Sequence, residues 1–223
     1  MITPKITLNQ FLISVLPGGF VVSIILITVI YSNPYFAKTI QGIDFLMTFM
    51  FVCLSFIFGE VLQTIARGCE KTIDWLFFRG YRPSDIFLLR NNPVLKDEKI
   101  KEEVIKKLKL TKEEKEELIE YSEAPFAFWK KKSKFVGLNK KNFWKIYSKS
   151  REAENIKESN ARYLFTRVMF VIFVFLILWF SILESWIFVK VSSIFMVLFL
   201  WRARGCARGL VFSSVNKYLS EGK

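Results

Sequence analysis

Apolar residues gather into three long blocks, Phe11 to Tyr31, Ile43 to Gln63 and Tyr163 to Trp201, and polar residues fill what lies between. The third block is 39 residues long, and its only charges are Arg167, Glu184 and Lys190. One membrane-spanning helix needs about 20 apolar residues. The block is therefore read as two spans, with Glu184-Ser185 near its midpoint marking a turn. The pattern predicts an all-α membrane protein: four transmembrane helices in two hairpins, with a helical cytoplasmic insert between the second and third spans. The expected divisions are 1–66 (first transmembrane hairpin), 67–162 (cytoplasmic helical domain), 163–203 (second transmembrane hairpin) and 204–223 (cytoplasmic C-terminal tail).

Local punctuation refines these elements. The first block is longer than the apolar core of a secretory leader and precedes no small-x-small cleavage site, so it is read as a retained span. Pro17-Gly18-Gly19 removes a backbone donor inside it and predicts a kink or break. Polar residues enter the second span at Glu60, Gln63 and Arg67, and the helix is expected to run on toward Phe78 until Gly80 and Pro83 end it. Ile100, Val104, Ile105 and Leu108 recur at helical spacing, and Thr111 with Glu114 forms a capping box for the next segment. After Asn139, Phe143, Trp144, Ile146 and Tyr147 mark a third amphipathic helix. Nothing from Asn142 to Tyr163 obliges that helix to stop, so one long helix into the third span is expected.

Charge sets the orientation. The chain is 52% hydrophobic yet carries a formal charge of +13. Residues 67–162 hold 24 Lys plus Arg against 16 Asp plus Glu, whereas the link from Ser32 to Gly42 carries only Lys38. By the positive-inside bias the insert and both termini are cytoplasmic, in the inner membrane of the cell.

Candidate chemistry is sparse. Histidine is absent, which removes the commonest general base and metal ligand. Cys53, Cys69 and Cys206 lack CxxC spacing and are expected as free thiols. No phosphate-loop, dinucleotide, zinc-protease or nucleophile-elbow motif is present, and the acidic residues from Asp97 to Glu120 alternate with lysine like exposed helix faces. Neither an enzyme, a metal site nor a cofactor is expected.

Ionisable residues at membrane depth are more informative. Glu60 and Arg167 are expected near one interface and close in space, as a packing ion pair or with Glu60 lining a conduction path. Asp44 and Lys190 stand near the opposite face, where Lys190 can also snorkel outward alone. Ser14, Gly18, Gly19 and Ser23 on the first span, and Thr48, Ser55 and Gly59 on the second, either pack helices or line a narrow pore. Phe126, Phe128, Trp129 and Phe135 interleave with Lys130, Lys131, Lys132, Lys134, Lys140 and Lys141. Such a mixture suits nucleic-acid phosphates and bases, anionic lipid head groups, or a solvated loop with buried rings.

The segments Phe58-Gly59-Glu60-Val61-Leu62-Gln63, Arg79-Gly80-Tyr81-Arg82-Pro83-Ser84, Asn160-Ala161-Arg162-Tyr163 and Trp201-Arg202-Ala203-Arg204 to Tyr218 resemble the pattern of small bacterial four-span inner-membrane proteins. Some similar proteins are membrane effectors of anti-phage defence systems, in which an oligomer disturbs the inner membrane when a nucleotide signal or partner changes state. The resemblance implies a homo-oligomeric channel or membrane-perturbing effector in the lipid bilayer, answering to a cytosolic partner or nucleotide signal through its insert. Two other uses fit the residues: a non-conducting scaffold that recruits a cytosolic partner, and a membrane-anchored nucleotide or nucleic-acid binding protein.

Overall fold

The computed structural model describes residues 11–32, 44–69, 82–88, 97–116 and 132–221, together with 72, 76 and 95. Among the described residues every regular element is helical. A π-helical turn, Phe11–Val15, runs into α1 (Leu16–Ser32), followed by α2 (Asp44–Gly68), a 3-10 turn (Pro83–Asp85), α3 (Glu98–Leu108), α4 (Lys132–Ser150), α5 (Glu154–Ile182) and α6 (Trp186–Ser220). Helices α1, α2, α5 and α6 are long and apolar enough to cross a membrane. The chain divides into two compact units, 1–73 with 161–203, and 74–160 with 204–223.

The first unit wears its hydrophobic residues outside. Ile27, Ile182, Ile187 and Trp201 are each at least 66% exposed, an apolar surface that suits lipid and is unfavourable in water. The long apolar block is two helices. The first ends in a Schellman arrangement: Ser185 N–H donates to the Phe180 carbonyl at 2.9 Å and Glu184 N–H to the Ser181 carbonyl at 3.2 Å. Glu184 supplies the left-handed residue this needs, with φ 54°. Beyond it, α5 and α6 stack the rings of Phe180 on Phe188, Phe173 on Phe195 and Phe173 on Phe199, at centroid separations of 5.0, 5.3 and 5.5 Å. Each step back along α5 meets a step forward along α6, so these helices are antiparallel neighbours.

The second unit has a conventional core. Phe87, Leu95, Val104 and Ile146 are almost fully buried, with Phe143 edge-on to Phe87 at 5.9 Å. Burying each such side chain is worth about 1.5–3 kcal/mol. Residues 204–223, expected as a tail, are instead mostly helix, and Val211, Val215 and Tyr218 join this core. Lys107 Nζ donates to the carbonyls of Tyr218 and Leu219 and lies 4.8 Å from the Tyr218 ring centroid, so it caps the end of α6. In the same unit, Asp97 caps α3 by accepting from Lys99 N–H at 2.9 Å, and Lys109 closes it at φ 50°. The Thr111 and Glu114 capping box is formed, with its two reciprocal bonds at 3.0 and 3.2 Å.

One expected element is different. The single long helix from Asn142 through Tyr163 is broken at residues 151–153. Neither Gly nor Pro causes the break. The buried Ser150 turns its hydroxyl back to the Ile146 carbonyl at 3.0 Å, Ala153 N–H closes on the Ser150 carbonyl, and the Ala153 carbonyl then accepts from Ile156 and Lys157 N–H to start α5. Glu152 bridges Lys157 at 2.9 Å across this corner, and that hydrogen bond holds its carboxyl below the ordinary range. The expected run of α2 past Gly68 toward Phe78 lies largely outside the described residues.

Candidate functional site

Helix α1 meets α2 at unusually short range, because glycines remove the side chains that would hold them apart. A Cβ on Gly18 would run into the Ser55 carbonyl oxygen and come within 2.7 Å of Gly59 N; one on Gly59 would strike the Ser14 carbonyl. Gly18, Ser55 and Gly59, read from the sequence as either packing or pore-lining residues, are thus packing residues. Pro17, Gly18 and Gly19, the expected place of a kink or break, lie inside α1, directly after the wide π turn at Phe11–Val15. Pro17 has no N–H for an ordinary helical bond to the residue four back.

That close approach assembles a chain of polar side chains among apolar ones. Ser14, only 3% exposed, donates from Oγ to Glu60 Oε1 at 2.8 Å. Gln63, 8% exposed, donates from Nε2 to Ser14 Oγ at 2.7 Å. Arg67 Nη2 in turn reaches Gln63 Oε1 at 3.4 Å. Glu60, Gln63 and Arg67 share one face of α2 at spacings of three and four residues, and Ser14 enters from the π turn. Glu60 lies eight residues before the end of α2, about 12 Å along its axis. It is exposed, and its helical neighbours Ile57 and Val61 are exposed apolar residues.

The expected Glu60 and Arg167 proximity resolves into separate partners. Arg167 is buried and sends Nη2 to the Ala66 carbonyl at 3.1 Å, six residues and about 9 Å beyond Glu60 on the same helix. Its guanidinium also lies 5.6 Å from the Tyr163 ring centroid. Ser14 is the partner of Glu60. Lys190 is exposed on the first turn of α6, and Asp44 begins α2. Of the basic candidates, Lys140 and Lys141 are exposed on α4, and Lys132 and Lys134 fall in its first turn. Lys130 and Lys131 lie outside the described residues, as do the side chains of Lys132, Lys134 and Asp44. Cys53, Cys69 and Cys206 are not joined to one another by disulfides.

An apolar groove of this unit has no chemistry to offer. A groove of about 830 Å³ between α1, α2 and α5 is lined by apolar side chains such as Ile24, Leu62, Ile172 and Trp179. Its one hydroxyl, Thr28, already donates to the Ile24 carbonyl at 2.8 Å. Among the described residues no group of His, Cys, Asp or Glu could hold a metal ion. The polar chain from Ser14 to Arg67 is therefore the candidate site, and what it offers is a carboxylate fixed well inside the end of an apolar helix. No protein-family model matches this chain, and no curated protein or solved structure is detectably similar to it.

Proposed function

We propose that the protein is a homo-oligomeric inner-membrane channel or membrane-perturbing effector. In this reading α1 with α2 and α5 with α6 form two transmembrane hairpins, and the insert and both termini are cytoplasmic. The observation that carries it is Glu60: an exposed carboxylate, anchored by Ser14, about 12 Å inside the end of an apolar helix. A single copy would turn that charge toward hydrocarbon, at a cost of several kcal/mol. Several copies around a water-filled path would instead place a ring of carboxylates on water, an arrangement that attracts cations. The resemblance to anti-phage effectors supports control through the cytoplasmic unit by a partner or nucleotide signal.

Purified protein in liposomes tests this through cation flux and oligomer mass in detergent. Glu60→Gln keeps an acceptor for Ser14 and removes the charge, so cation flux and cation preference should fall together. A monomer in detergent, or no flux in any state, would leave the scaffold reading in its place.

A further inference from the structure

The outer face of α4 combines two features that neither the polar chain in the spans nor the core of its own unit uses. Its inner face is buried through Leu138, Phe143 and Ile146, while Lys140, Lys141, Trp144, Lys145 and Ser148 are exposed. The helix carries six lysines and no Asp or Glu. Trp144 is 55% exposed, and its ring stands edge-on to Tyr147 at 5.7 Å. Lys140 and Lys141 lie one turn before it and Lys145 directly after, so the indole stands among ammonium groups. Lys141 has one acidic neighbour, Glu114, at a loose 3.9 Å. Lys149 lies 5.6 Å from the Tyr218 ring centroid and belongs to the fold.

In water this face is unfavourable twice over, through an unburied indole and through mutual repulsion of the lysines. A surface that accepts the amphipathic ring and neutralises the charges relieves both. Lysines are point charges that suit a diffuse array of phosphates, whereas bidentate phosphate recognition favours arginine. One exposed indole is also a single platform, not the succession on which single-stranded bases stack. We propose that this face docks on an anionic phospholipid surface, with Trp144 at head-group depth and Lys140, Lys141 and Lys145 against lipid phosphates. The proposal rests on the chain being a membrane protein and is independent of conduction.

The test uses the full chain with Cys53→Ser, Cys69→Ser, Cys206→Ser and Ser148→Cys, carrying an environment-sensitive fluorophore at position 148, in nanodiscs of POPC or of POPC with POPG. Blue-shifted emission is expected only with POPG, and it should reverse near 1 M salt, where the screening length is about 3 Å. Lys140→Gln, Lys141→Gln and Lys145→Gln should each weaken docking about fivefold, and the triple variant about a hundredfold. Trp144→Ser should lose the shift with every lysine retained. On the unsubstituted chain, protection of these three amines from acetylation in POPG discs, read by mass spectrometry, gives the same answer without a label. Equal emission and equal acetylation in both discs would overturn the proposal, as would a response to single-stranded oligonucleotide with none to POPG. Loss of ion flux with these responses intact would remove only the channel reading.

Discussion

Replacing Gly59 by alanine isolates the contact on which the polar chain depends. The new methyl would strike the Ser14 backbone carbonyl, so α1 and α2 must separate. Forced overpacking costs about 1–3 kcal/mol. Separation also strains the Ser14–Glu60 and Gln63–Ser14 bonds, now 2.8 and 2.7 Å, each worth about 0.6 kcal/mol between membrane helices. Alanine returns up to about 1 kcal/mol of helix propensity. The net is a loss of about 1–3 kcal/mol. Gly209→Ala is the matched control, because a Cβ there meets nothing within 4 Å and only the propensity gain remains. Unfolding in mixed SDS and mild-detergent micelles, followed by tryptophan fluorescence, should move the two midpoints in opposite directions. If Gly59→Ala unfolded with the wild type, the close approach could not be what holds Ser14 against Glu60.

Three further outcomes are expected. Lys109→Gly should stabilise the second unit by about 1 kcal/mol in urea unfolding, because Lys109 closes α3 at φ 50° where a Cβ is disfavoured; Lys109→Ala should not. Asn142→Leu should raise stability by about 1–3 kcal/mol, since neither atom of its buried amide has a hydrogen-bond partner among the described residues. The corner at 151–153 should loosen in acid. Glu152 is held below its ordinary range by Lys157, so its contribution is full above the unfolded carboxyl value of about 4.3 and fades as pH falls through the lower folded value. Hydrogen exchange at residues 153–157, corrected for intrinsic rate, should therefore rise only on acidification, and Glu152→Gln should abolish the pH response.

The four apolar helices were legible because about 20 consecutive apolar residues have few other uses, and Glu184 was legible as the interruption that divides the longest run. The capping box at Thr111 and Glu114 was readable because its partners are three residues apart. Distance along the chain hid the rest. Ser14 and Glu60 are 46 positions apart, and attention to opposite charge pointed to Arg167, whereas the partner is a hydroxyl delivered by a π turn. The break at 151–153 has no breaker residue to announce it; it shows only in the backbone bonds that close α4 on Ser150 and open α5 on Ala153. Val211, Val215 and Tyr218 do carry helical spacing. Their partners in the core lie more than 60 residues back along the chain, so the segment reads from sequence only as a C-terminal tail.

That last segment dictates an order of events during synthesis. The second unit closes on Val211, Val215 and Tyr218, yet the other residues of that core end at Ile146, with α5 and most of α6 made in between. At translation rates of about 5–20 residues per second, roughly 70 residues separate the two, a wait of about 4–14 s. Throughout that interval the nascent insert presents the apolar surface of Phe87, Val104 and Ile146 without its last wall. Its folding is thus timed by the arrival of the final helix, and a ribosome that stalls between residues 160 and 210 leaves behind a species with α1 and α2 made and an unfinished core.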